Sequence, residues 1–359
     1  MKVCIVLGTR PEIIKACSLI RCCEQRGTDY FIIHTGQHYS YDLDKLFFEE
    51  LELPLPKYHI QGGVGAFKFQ LSTMLPNIKK ILKQEKPSVV LVIGDTNSVL
   101  AGGLAATQLR IPLGHVEAGL RSDDIQMLEE THRIIIDNLS DFLFTPTLTT
   151  ENNLLKENHD QNKIFVTGNT VVDALSQNIE LSDRKSNVLQ RFELKKGQYI
   201  LMSSHRQENV DFEPRLLKLL DSISLVAEYH GLPIVWPIHP RTIKMLEKFN
   251  LKVPGCVKTI PLLGYLEFLQ LQKNSHLIMT DSGGMQEESC VLKVPCVTLR
   301  DNTERPETLN VGSNILVGVE PESVLNGTKE MTKKDRSWTN PYGDGKTAER
   351  IISILQQKL

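Results

Sequence analysis

The stretch SVVLVIGDTNSVLAG, residues 88–102, decides the fold class. A continuous aliphatic run, Val89 to Ile93, stops at Gly94, passes through Asp95, Thr96 and Asn97, and resumes as small and apolar residues suited to a helix. An apolar run of this length is what a strand buried on both faces requires, and a helix directly after it makes one βα step of a parallel sheet. Asp95 is left where the strand ends. Aspartate is a favoured N-cap, and Thr96 or Asn97 could serve as well, so on this stretch alone Asp95 reads as a cap.

The same alternation recurs outward in both directions. KVCIVL (2–7), FIIHT (31–35), PLGHV (112–116), FLFTP (142–146) and KIFVTG (163–168) are strand-like and each is followed by amphipathic sequence. After residue 197 the pattern restarts with YILMSS (199–204), LPIVWPI (232–238), VKTIPL (257–262), SHLIMTDS (275–282) and VPCVTL (294–299). These spacings predict an α/β protein of two doubly wound, Rossmann-like parallel-sheet domains with an interdomain cleft. The charged stretch 180–197 is read as the linker, giving an N-terminal domain over 1–180 and a C-terminal domain over 197–345. Residues 346–359 are expected to form a last helix that packs back on the N-terminal domain.

Composition narrows the function classes. The chain has 359 residues, 41% of them hydrophobic, and its 41 Lys and Arg nearly balance 43 Asp and Glu, for a formal net charge of -2. No overall positive field advertises nucleic acid or an anionic membrane. Apolar runs stay well short of the roughly 18 residues of a spanning helix, and the N-terminus lacks the pattern of a signal peptide, so a soluble cytoplasmic protein is expected. The seven cysteines show no CxxC pair or zinc-ligand spacing and are read as reduced thiols, mostly in the core.

In open parallel sheets ligands bind beyond the carboxyl ends of strands, so the residues just after each strand are the candidates. GTRPEIIK (8–15) offers Arg10 and Lys15 at a strand-to-helix turn, either an anion site or two solvated cations. It is neither a dinucleotide fingerprint nor a P-loop. HVEAGLRS (115–122) sets a second carboxylate, Glu117, at the end of a strand expected beside that of Asp95. MLEETHR (127–133) adds Glu129 and Glu130, with Arg133 four residues after Glu129, which alone reads as a surface i,i+4 pair worth tenths of a kcal/mol. In the second half, SSHRQEN (203–209) and PIHPRT (237–242) place His205 and His239 after strands, where a structural histidine competes with a functional one. TDSGGMQEE (280–288) opens a helix with Ser282, Gly283 and Gly284, whose bare N–H groups and positive dipole end suit a phosphate. Glu287 or Glu288, about 6 Å further along at 1.5 Å per residue, either complements that dipole or accepts ribose hydroxyls. Arg300 and Arg305 could neutralise a diphosphate.

Together GTRPEIIK, GDTNSVLAG, HVEAGLRS, EETHR, SHRQEN, DSGGMQEE and TERPE, in this order over nearly the whole chain, resemble the non-hydrolysing UDP-N-acetylglucosamine 2-epimerases. The resemblance implies a GT-B-like fold, a homodimer, and interconversion of UDP-GlcNAc and UDP-ManNAc through a 2-acetamidoglucal for surface polysaccharides, with no metal or nicotinamide cofactor. It implies Asp95, Glu117 and Glu129 as catalytic carboxylates with His205 near the sugar. It further implies that Arg10, Lys15, Arg133, His239, Ser282, Gly283, Gly284, Gln286, Glu288 and Arg305 hold the UDP-sugar. The chain departs from the family where many relatives carry Phe, Pro and Asn and it has Asp123, Leu128 and His132. The stretch GQHYSYDLDKLFF (36–48) also differs from that which helps bind an activating UDP-GlcNAc in some members, so allosteric activation is not carried over. Those departures keep a 2-epimerase of a modified UDP-HexNAc, a 6-deoxy or diacetamido-uronate sugar, as an alternative. A UDP-sugar glycosyltransferase of the same fold would not need three carboxylates in the N-terminal half.

Overall fold

Among the described residues every strand pairing is parallel, and the thirteen strands fall into two sheets. The computed structural model describes residues 1–36, 41–61, 67–125 and 127–359, with 41–44 described in backbone only. The first sheet holds β1 (Lys2–Leu7), β2 (Asp29–His34), β3 (Tyr58–His59), β4 (Val89–Ile93), β5 (Leu113–Val116), β6 (Phe142–Thr145) and β7 (Ile164–Val166), in the order β3-β2-β1-β4-β5-β6-β7. The second holds β8 (Ile200–Ser203), β9 (Ile234–Pro237), β10 (Val257–Ile260), β11 (Leu277–Thr280), β12 (Cys296–Thr298) and β13 (Asn314–Leu316), ordered β10-β9-β8-β11-β12-β13. Both are doubly wound α/β sheets. Each reverses direction beside its first strand, so the switch points lie at β1 and β4 in one and at β8 and β11 in the other.

The expected strands all form, joined by two that sequence reading did not find. Tyr58–His59 and Asn314–Leu316 are two and three residues long, too short for any periodicity to show. The chain divides into one unit of Met1–Asn178 plus Tyr342–Leu359 and another of Ile179–Pro341. The stretch 180–197, read as a linker, is largely helical, in Thr170–Lys185 and Val188–Arg191. The last helix, Thr347–Lys358, belongs to the first unit, where it packs on the helix Arg10–Arg26. Buried Asp173 secures it by accepting the Ala348 N–H at 2.9 Å. Six of the seven cysteines are buried free thiols, and Cys256 is exposed.

The opening stretch now has a packing explanation. Its helix, Asn97–Gln108, carries NSVLAGGLAATQ because it is enclosed on several sides, so small residues replace an amphipathic stripe. A Cβ on Gly103 would sit 2.4 Å from Ile136 Cδ1, and one on Gly102 about 3.0 Å from Val92 Cγ1. Backbone approach of this kind holds the helix N-terminus against the ends of β1 and β4.

Gly119 in HVEAGLRS is constrained more severely. It has φ +78°, and a Cβ there would lie 2.2 Å from the Thr150 carbonyl oxygen. Gly119→Ala therefore meets both a backbone clash and a left-handed penalty, and urea unfolding should show a loss of about 2 kcal/mol or more.

Candidate active site

Three loops converge at the switch point of the first sheet. β4 pairs with β5, and the register ends at Ile93 opposite Val116, so Gly94–Asp95 and Glu117 leave neighbouring strands side by side. Glu117 is 3% exposed and takes φ +72°, uncommon for a residue with a side chain. Its Oε2 accepts from Lys15 Nζ at 2.5 Å, while Oε1 is buried with no hydrogen-bond partner among the described residues. Lys15 is thus an ion-pair partner of a site carboxylate rather than a solvated cation.

Asp95 is not the helix cap. Thr96 holds that position, with Oγ1 accepting from Val99 N at 3.4 Å. The Asp95 carboxylate instead accepts from Arg133, with Nε at 2.9 Å and Nη2 at 2.7 Å. Arg133 is buried and also pairs with Glu130. Glu130 in turn accepts from Ser122 N at 3.0 Å, Ser122 Oγ at 3.0 Å and Asp123 N at 3.2 Å. The buried acid of EETHR is therefore Glu130, whereas Glu129 is exposed in the first helical turn and makes no hydrogen bond or ion pair among the described residues. The surface Glu129–Arg133 pair considered from spacing gives way to buried pairs of Arg133 with Asp95 and Glu130.

Arg10 begins the helix Arg10–Arg26, with its guanidinium 5.7 Å from the Phe47 ring centroid. Two residues on, Glu12 is buried and joins two of the loops: it accepts from Gly8 N at 2.9 Å and Thr9 Oγ1 at 2.8 Å, and from Thr96 Oγ1 at 2.7 Å. Burial pushes its pKa up against these hydrogen bonds. Sequence reading missed Glu12, although Thr9-Arg10-Pro11-Glu12 has the spacing of a capping box, in which the acid reaches back over the helix start.

In the second unit the loops after β8 and β11 are tied by a residue also missed, Asp281. Fully buried, it accepts from Ser204 Oγ at 2.8 Å, His205 N at 3.0 Å, Arg206 N at 3.0 Å and Asn209 Nδ2 at 3.1 Å. His205 itself is 40% exposed in its side chain and its ring centroid lies 5.4 Å from that of His239. His239 caps the helix Pro240–Lys248, its Nδ1 accepting from Arg241 N at 3.1 Å. Ser282 is the N-cap of Gly283–Val291, and a Cβ on Gly284 would meet nothing within 4 Å, so the backbone there faces open space.

Not every cation near that helix is available for a diphosphate. Arg300 is 1% exposed and bonded through Nε to Glu208, Nη1 to Glu304 and Nη2 to Asn302, at 3.0, 2.6 and 2.8 Å. It is structural. Arg305 pairs with buried Glu287 at 2.6 Å, and Glu288 accepts from Gln272 Nε2 at 2.7 Å. Gln286 is buried, its Oε1 accepting from Thr303 Oγ1 at 2.6 Å and Asn314 Nδ2 at 3.2 Å.

A family model described as UDP-N-acetylglucosamine 2-epimerase matches residues 21–356. The chain belongs to the UDP-N-acetylglucosamine 2-epimerase family. It is 52% identical to the UDP-N-acetylglucosamine 2-epimerase of Methanocaldococcus jannaschii, over 99% of both chains. A crystal structure of the Methanocaldococcus jannaschii UDP-GlcNAc 2-epimerase in complex with UDP-GlcNAc and UDP superposes with a TM-score of 0.93, covering 99% of this chain and 100% of that one at 52% identity. The chain is also 36% identical, over 99% of both chains, to the UDP-2,3-diacetamido-2,3-dideoxy-D-glucuronate 2-epimerase of Pseudomonas aeruginosa. The protein is an epimerase with the family's GT-B-like fold of two Rossmann-like units.

The epimerase motifs map onto the two switch points: GTRPE and GDTN follow β1 and β4, SHRQEN and DSGG follow β8 and β11. Within GQHYSYDLDKLFF, residues 37–40 lie outside the described residues. The TERPE motif carries a third missed acid, Glu304. Burial raises its pKa, but Arg305, Arg206 and Arg300 outweigh that and hold it far below the usual carboxylate range. A depressed carboxyl pKa stabilises above the unfolded value and the contribution is lost as pH falls through the folded value. Glu304→Gln should therefore cost about 3 kcal/mol at pH 7, with the gap from the parent narrowing below about pH 4 in denaturant titrations.

Proposed function

We propose that the protein interconverts UDP-GlcNAc and UDP-ManNAc by eliminating UDP and adding it back. The observation that carries this is Glu117: a buried carboxylate oxygen without a hydrogen-bond partner among the described residues, beside Asp95 at the sheet's switch point, suits a group that handles a proton. The C2–H of an N-acetyl sugar has no adjacent carbonyl to acidify it. As the C1–O bond breaks and its electron pair leaves with UDP, C1 gains cationic character and the C2 proton passes to a carboxylate. The C1–C2 double bond of 2-acetamidoglucal forms. A UDP oxygen then adds to C1 and a proton returns to the other face of C2. Asp95, Glu117 and Glu129 are assigned to the proton transfers. Arg10, Arg305 and the Ser282–Gly284 turn are assigned to the charge developing on UDP, with Glu288 at the ribose.

The relative that acts on the diacetamido-uronate favours a second reading in which a modified UDP-HexNAc is the substrate. Asp123, Leu128 and His132, which depart from many relatives, are the positions where that preference would reside.

Incubation with UDP-GlcNAc alone in D2O should yield UDP-ManNAc carrying deuterium at C2. Product without deuterium eliminates the mechanism, and turnover of a diacetamido-uronate but not UDP-GlcNAc selects the second reading. Asp95→Asn should lower kcat by about 100-fold or more.

A further inference from the structure

Two buried histidines close on two consecutive peptide groups. His115 lies on β5 with its ring 0% exposed, and its Nε2 is 2.8 Å from the Gly94 carbonyl oxygen. His132, 2% exposed on the helix Leu128–Leu139, has Nδ1 2.9 Å from the next carbonyl oxygen, that of Asp95. A carbonyl can only accept, so each ring donates an N–H to it. We propose that His115 and His132 are positioning residues for Asp95, fixing the peptide planes on either side of its Cα so that its carboxylate stays on Arg133. The proposal rests on the epimerase reading for the role of Asp95.

Such fixing is needed because Gly94 has φ +84°. A glycine in the left-handed region has other wells open to it, and a rotation there would swing the Asp95 side chain off the guanidinium. The two clamps are built differently. His115 Nδ1 lies 2.6 Å from Asp137 Oδ1, so both ring nitrogens face acceptors and the ring donates twice. Asp137 is buried and its other oxygen accepts from Gly119 N at 3.2 Å and Arg121 Nη2 at 2.8 Å. Burial raises the Asp137 pKa, yet His115 and Arg121 outweigh it and hold the carboxyl below its ordinary value. The carboxylate therefore stays charged behind His115. Among the described residues His132 has no carboxylate behind it: its ring lies against Phe67, centroids 5.4 Å apart, and its Nε2 is buried without a hydrogen-bond partner. Its one directed contact among the described residues is the Asp95 carbonyl.

The two clamps act on the loop independently of the lateral grip on its side chain and its cap. Arg133 holds the Asp95 carboxylate, and Glu12 holds Thr96 Oγ1 at 2.7 Å. Loss of either histidine would leave Thr96 held by Glu12 while Asp95, mobile about its backbone, spends part of its time off Arg133. The expected signature is lower kcat with substrate binding retained, which a general loss of folding would not give.

The test uses His132→Ala, Asp137→Asn and His132→Asn in the full chain. His132→Ala and Asp137→Asn should each lower kcat for UDP-GlcNAc by about 10-fold, with KM and the calorimetric affinity for UDP within about twofold of the parent. His132→Asn should recover kcat to within about threefold, because the amide N–H can donate to the same carbonyl. In NMR of arginine side chains, the Arg133 Nε–H bonded to Asp95 should exchange faster with water in the two damaging variants than in the parent. Undiminished kcat in both damaging variants overturns the proposal, as does a parallel fall of kcat, UDP affinity and Tm. A parent that leaves UDP-GlcNAc unchanged overturns the epimerase reading, and the Arg133 exchange rate then decides the positioning alone.

Discussion

Right-handed crossovers between parallel strands are the constraint on which the rest depends. Once a sheet extends both ways from its first strand, the helices leaving the two central strands must go to opposite faces. Their loops part and leave a crevice that no element covers. In this epimerase the partings fall at β1 with β4 and at β8 with β11, and the loops there carry GTRPE, GDTN, SHRQEN and DSGG. The strands contribute little chemistry themselves. They set where polar side chains can gather while the sheets remain apolar on both faces.

Gathering them has an electrostatic cost, since a charge removed from water must be met by another. Lys15 meets Glu117, Arg133 meets Asp95 and Glu130, Arg305 meets Glu287, and Arg300 meets Glu304 and Glu208. Pairs of this kind add little net stability, yet each fixes a direction. Groups already aligned when substrate arrives need not reorganise during the reaction, which is the main way a protein stabilises developing charge.

The long apolar strands were legible because a strand buried on both faces writes itself as a run of aliphatic residues. Tyr58–His59 and Asn314–Leu316 were not, being edge strands too short to carry a period. Within the site, Asp95 and Glu117 could be placed because they directly follow strands. Asp281 and Glu304 could not, because their importance lies in which backbone N–H, hydroxyl or guanidinium groups reach them, and the capping-box spacing of Glu12 points to its own helix start but not to Thr96. Spacing does not encode such partners when they come from loops 70 or more residues away, as with Glu12 and Thr96 or Asp281 and Ser204. Glu129 and Glu130 show the same limit at close range: adjacent acids on a helix point about 100° apart, and sequence alone does not say which faces inward.

The helix Thr347–Lys358, held in the first unit through Asp173 and the helix Arg10–Arg26, has a consequence for biosynthesis. The first unit is discontinuous: its opening 178 residues leave the ribosome early, but its closing piece, from Tyr342, emerges only after all of the second unit. During synthesis the second unit has its whole sequence available before the first does. Until the helix Thr347–Lys358 arrives, the apolar flank of Arg10–Arg26 and the buried Asp173 stand without their partner, so a stretch translated after the second unit supplies the cover for a surface made before it.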